Sequence, residues 1–219
     1  FLAAGTQSKA AVNMGVKQTG AGSSYVDLAW NAQLGAGHYH TQFSQDGKNW
    51  IDMEYSSSPS DSVYNLTQGA SYYARVVAYN GSHYSGTHVM VGVSETAIVS
   101  TKPTEVTGLT QTAAGVNSVS MSWNASAGAA SYVIYGYINY NWTQIGTSAT
   151  NSATITGVAA TTSTKFSVAA VKNVTGGTVT GDQCSGVEMK AIPIKVSRIA
   201  MQYYWDSLKE AKYIWTDVN

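Results

Sequence analysis

Four histidines and a set of tyrosines and tryptophans are the residues in this chain whose types suit chemistry. His38 and His40 lie two apart, so on a strand they share one face. His83 and His88 follow later, and four imidazoles together offer the nitrogen ligands that zinc-like ions take. No Asp, Glu or Cys stands beside them in a metal-ligand spacing, so the expected setting is a solvated strand face with no metal and no cofactor. Tyr73, Tyr79, Tyr135, Tyr137, Tyr140 and Trp142 form the second group. Exposed Tyr and Trp present flat apolar rings with a polar tip, a surface suited to sugar rings or a protein partner. Paired across neighbouring strands, the same rings instead stabilise a sheet. No Gly-x-Ser-x-Gly elbow is present, no carboxylate pair is set for glycoside hydrolysis, and no glycine loop is shaped for phosphate. The expectation is a chain that is not an enzyme.

The elements that must position these residues are written twice. Gly15-Val-Lys-Gln-Thr19, Trp30-Asn31 and Tyr39 recur as Gly108-Leu-Thr-Gln-Thr112, Trp123-Asn124 and Tyr132, all offset by 93 residues. Trp50 recurs as Trp142, offset by 92. A solenoid repeat spans roughly 20–50 residues, so a period this long is that of a complete small domain. Within each copy short runs alternate in polarity. Val26, Leu28 and Trp30 oppose Tyr25, Asp27 and Ala29, and Tyr72, Ala74, Val76 and Ala78 oppose Tyr73, Arg75, Val77 and Tyr79. The second copy has Val119, Met121 and Trp123, then Tyr132 and Ile134, then Phe166, Val168 and Ala170. Such runs, broken by turns such as Asp46-Gly47 and Gly176-Gly177, predict antiparallel sandwiches without helices.

Trp30, Tyr39 and the segment Leu66-Thr-Gln-Gly69-Ala-Ser-Tyr72-Tyr-Ala-Arg-Val76-Val-Ala78 resemble a fibronectin type III domain. The resemblance covers about residues 11–101 and 103–196. It implies an all-β chain of two tandem antiparallel seven-stranded β-sandwiches of the fibronectin type III or immunoglobulin-like kind, with a short C-terminal extension. It also implies that Tyr39 points inward and His38 and His40 outward, with His83 and His88 on the last hairpin of the same sheet. Tyr73 and Tyr79 then face outward, as do Tyr135 and Tyr137. The family's corner tyrosine falls on Tyr72, whereas the second copy carries Thr164 there, and the corner hydrogen bond is expected to be lost or replaced. Ser44-Gln-Asp-Gly-Lys-Asn-Trp50 looks a little like a calcium or sialidase-type hairpin, but the turn itself accounts for Asp46.

The boundaries expected are 1–101, 102–196 and an extension over 197–219. Trp205 and Tyr213 of the extension echo the repeat, so it is read as a truncated third copy or a short amphipathic helix, with self-association as its consequence. Pro103 sits in a linker of a few residues, which predicts modules end to end with little hinge motion. Charged residues make up 11% of the chain and the formal net charge is zero, which argues against nucleic acid. No apolar run is long enough to span a membrane. Cys184 is the single cysteine, so no intrachain disulfide is possible and a small buried hydrophobe is expected. Five Asn-x-Ser/Thr sequons and no Arg-Gly-Asp are present. The uncharged polar composition resembles secreted or cell-surface proteins. The function expected is a non-enzymatic extracellular spacer or presentation segment whose partners are neighbouring domains of the same protein. The alternatives are an adhesion module that binds glycan or surface protein through its aromatic faces, and an accessory region of an extracellular hydrolase.

Overall fold

The computed structural model describes residues 10–84, 88–160 and 162–193, and the expectations for 197–219 lie outside them. Every element among the described residues is a strand. The first module contains β1 (Lys17–Ala21), β2 (Val26–Ala29), β3 (His38–Ser44), β4 (Ile51–Ser56), β5 (Ser60–Val63), β6 (Ser71–Tyr79), β7 (Met90–Val93) and β8 (Ala97–Ser100). One sheet runs β1-β2-β5 and the other β4-β3-β6-β7, with β8 also on β6. The second module repeats this with β9 (Thr110–Gly115), β10 (Ser118–Ser122), β11 (Ser131–Ile138), β12 (Asn141–Ser148), β13 (Ser152–Thr156), β14 (Thr164–Val174), β15 (Gly177–Thr180) and β16 (Val187–Met189). Its sheets run β13-β10-β9 and β12-β11-β14-β15, with β16 on β14. In each module the last strand is one strand broken in two, so each is a seven-stranded sandwich.

The repeated residues are those that join the two sheets. Trp30 and Trp123 are buried between them. Each meets the next landmark edge-on, Tyr39 at 5.4 Å and Tyr132 at 5.3 Å between ring centroids, both at 67°. The tyrosine hydroxyls accept from the backbone N–H of Gln33 and Ser126, which satisfies the polar tip of a buried ring. Gly15 and Gly108 have φ of +59° and +69°. A Cβ at either would press on Asn31 or Asn124, within 2.9 and 2.7 Å, so both the backbone turn and the space require glycine. Gln18 and Gln111 use their side-chain amides as a piece of strand. Gln18 donates to the Ser100 carbonyl at 2.8 Å and accepts from the Ser100 N–H at 2.9 Å. Gln111 does the same with Lys190, at 2.9 and 3.1 Å. The first strand of each module is thereby tied to the end of the last strand of the opposite sheet, at Ser100 in one and just past Met189 in the other.

The break in the last strand leaves a backbone donor that must be paired. Ser94 Oγ accepts the Val76 N–H at 2.8 Å. In the second module Cys184 Sγ accepts the Val168 N–H at 3.3 Å. Cys184 is buried, as the sequence predicts, and its place is that of Ser94.

The two cores use different residues. Phe43 pairs with Ala74 across β3 and β6, whereas Gly136 pairs with Phe166 across β11 and β14. The large ring has moved to the neighbouring strand and the small residue has taken its place. Close packing of this kind tolerates exchanges that conserve volume.

The modules meet through a short junction. The Lys102 N–H donates to the Gly22 carbonyl, and the Lys102 carbonyl accepts from Gly69, so Lys102 belongs to the first module. Thr104 reaches Ser126 of the second. Only Pro103, buried, lies between them. The β14–β15 hairpin folds back over the joint. Thr175 donates its N–H to the Ile98 carbonyl at 2.8 Å and accepts the Ile98 N–H on its hydroxyl at 2.7 Å. The Lys102 and Asp182 side chains form an ion pair at 2.6 Å. Lys172 is 4% exposed and donates from Nζ to the Gly69 carbonyl. Burial draws its ammonium pKa below the ordinary lysine range.

Candidate functional site

Two constellations stand on outward sheet faces, one on each module. On the first, His38 and His40 lie on β3 and His83 on the loop leading from β6 to β7. The outward direction is as expected, because Tyr39 between the two strand histidines is in the core. The solvated face is not. His38 is 1% exposed. Tyr79, its partner across the strands, stacks on it at 5.3 Å and 12°. The His83 and His88 rings close over it edge-on at 5.6 and 5.2 Å. Tyr55 stacks on His83 at 4.3 Å and 26°. Sequence alone gives the common face of His38 and His40 but not this lid, which comes from a loop some forty residues further along.

The polar contacts set the tautomer of His38. His38 Nδ1 lies 3.0 Å from the Gly81 carbonyl oxygen, which can only accept, so Nδ1 carries the proton. Its Nε2 is buried and faces no hydrogen-bonding partner among the described residues. His40 Nε2 lies 3.2 Å from His83 Nδ1, and His40 Nδ1 lies 3.9 Å from an Asp52 carboxylate oxygen. Burial pulls the His40 pKa below the ordinary histidine value despite Asp52, which works the other way.

The aromatic residues singled out in the sequence do not form one surface. Tyr79 is half-buried in the histidine cluster. Tyr73, 39% exposed, stands at the other end of β6 beside the Ser44–Ile51 hairpin. Six residues of strand separate the two, about 20 Å. On the second module Tyr137 and Trp142 are cross-strand partners with ring centroids at 5.3 Å, and Tyr135 is half-buried beside Gln144. Trp142 lies across the sheet so closely that a Cβ at Gly186 would come within 2.8 Å of its ring. Tyr140 is 89% exposed at the tip of the β11–β12 hairpin. Its φ is +65° and that of Asn139 is +49°. Positive φ at both central residues is the hairpin turn that suits Asn and Gly, and a tyrosine in it is uncommon. The Asp46 hairpin is explained by its own turn. One Asp46 carboxylate oxygen accepts the N–H groups of Lys48 and Asn49, each at 2.8 Å.

The corner tyrosine is present where expected, with the Tyr72 hydroxyl accepting the Thr67 N–H at 3.0 Å. Three strands packed on four in each module, with this corner in the first, fix the architecture. The chain is a tandem of fibronectin type III folds. The chain is 33% identical over 162 residues to Chitinase A1 of Niallia circulans, an alignment that takes in 70% of this chain and 22% of that protein. Among solved structures, a two-domain fibronectin type III segment of chicken tenascin is 16% identical, with 80% of this chain and 97% of that one covered at a TM-score of 0.41. The FN1–FN3 domains of chicken CNTN1 are also 16% identical, with 83% and 68% covered at a TM-score of 0.45. No family model matches the chain. No helix among the described residues is long and apolar enough to cross a membrane.

Proposed function

We propose that the two type III modules form a stiff, non-catalytic spacer in a larger extracellular protein, an accessory region of a polysaccharide hydrolase of the chitinase kind. The observation that carries this reading is the junction. One residue, Pro103, joins the modules. Lys172 is buried on the Gly69 carbonyl and the Ile98–Thr175 pair closes the other side. A spacer must hold a separation and an angle, and burying a lysine to reach the opposite module does so. The likeness to Chitinase A1 over 70% of this chain supports the hydrolase setting. Small-angle X-ray scattering of the chain, with and without a flexible Gly-Ser insertion at Pro103, tests it. The insertion should broaden the distance distribution, and an unchanged distribution would mean that the native joint is already loose.

A second reading is favoured by one observation. Tyr140 is held at positive φ on an exposed tip beside Tyr137 and Trp142, and strain retained at an exposed aromatic points to use. Titrating chitin oligosaccharides while following the Trp142 indole signal by NMR tests this patch. A saturating shift would support a glycan contact, and none at millimolar sugar would remove it.

A further inference from the structure

All four histidines of the chain gather on the outer face of the first module. The fold does not demand them. At the matching positions of β11 the second module has Ser131 for His38 and Val133 for His40, and the same strand pairs with the same register. The cluster is therefore additional to what holds a type III sandwich together.

Its geometry is that of ligands. One ring nitrogen from each of His38, His40 and His83 lies within 4.8 Å of one from each of the others. Zinc–nitrogen bonds of about 2.0–2.1 Å in a tetrahedron place ligand nitrogens about 3.3–3.4 Å apart. The His40 and His83 nitrogens, 3.2 Å apart, already stand so. His38 meets the requirement most completely. Its Nδ1–H is anchored on the Gly81 carbonyl, the arrangement that metal-bound histidines use to fix tautomer and ring plane. Its Nε2, buried without a partner among the described residues, retains a lone pair that no protein group uses. Asp52 places a carboxylate 3.9 Å from His40 Nδ1, a charge that favours a bound cation without a hydrogen bond to the ring. Stacking by Tyr79 and Tyr55 holds the His38 and His83 rings in place, so binding would cost little ordering.

We propose that His38, His40 and His83 bind one divalent transition-metal ion of borderline softness, Zn²⁺ being the type, with His88 or solvent at the fourth position. Imidazole donors suit zinc, copper and nickel, whereas Mg²⁺ and Ca²⁺ prefer oxygen.

Isothermal titration of the untagged chain with Zn²⁺ tests the site, with chemical shifts of the histidine rings followed in parallel. The expected result is one equivalent bound, with the His38, His40 and His83 signals shifting together and a rise in the melting temperature of the first module. His83→Ala, on a loop where folding is not at stake, should weaken binding by about tenfold or more, and His40→Ala likewise. Mg²⁺ should not compete. No stoichiometric binding would overturn the proposal. So would an affinity that survives His83→Ala and falls only with His88→Ala, which would mean an ion held loosely at the surface.

Discussion

At the scale of single residues, equivalent positions in the two modules serve as each other's controls. Cys184 and Ser94 perform one task, accepting an N–H that the broken last strand leaves over. Cys184→Ser should therefore leave stability nearly unchanged in denaturant melts. Cys184→Ala strands the buried Val168 N–H and should cost about 1–3 kcal/mol. Equal losses for the two variants would remove the hydrogen bond from the account. Tyr140 offers a gain instead. Relieving its positive φ with Tyr140→Gly should raise stability by roughly 1 kcal/mol, seen as a later unfolding midpoint. Asp46 gives the pH test. Backbone bonds from Asn49 and Lys48, with side-chain bonds from Ser44 and Asn49, hold its carboxyl far below the usual carboxylate range. A depressed folded pKa contributes stability above the unfolded value of about 3.9 and loses it as pH falls through the folded value. The Lys48 and Asn49 amide shifts should hold steady through pH 4 and move only in stronger acid. A titration centred near 4 would contradict the turn as described.

At the scale of elements, the Phe43–Ala74 and Gly136–Phe166 pairs carry the clearest prediction. Phe166→Ala opens a cavity beside a glycine and should cost about 3–5 kcal/mol. Ala74→Phe alone overfills the first core, at about 1–3 kcal/mol. Combining it with Phe43→Gly should recover part of that loss, because the second module already folds with this arrangement. Additive losses in the double variant would refute volume exchange. The strands themselves were legible in the sequence because their determinants are local. Alternation places Trp30 inside, the type III resemblance places Tyr39 there, and the repeated Gly15, Gln18, Trp30 and Asn31 mark one sandwich made twice. The setting of His38 was not legible. Its cover comes from Tyr79 on the neighbouring strand and from a distant loop, and no local pattern reports a burial made by remote parts of the chain. The division of Tyr73 from Tyr79 was hidden differently. They share a face, but strand rise carries them to opposite ends of β6.

At the scale of the whole molecule, the proposed spacer role rests on the junction. A short linker was readable from Pro103. The burial of Lys172 was not, since its partner, the Gly69 carbonyl, belongs to the other module. A lysine hidden in an interface costs desolvation and holds only if its partner stays in place, so both modules should move as one body. Residual dipolar couplings measured on both modules in one aligned sample test this most directly. The account predicts that a single alignment tensor fits the couplings of residues 10–100 and 104–193 together. Two tensors of clearly different magnitude would show that the modules reorient independently and would contradict the stiff spacer.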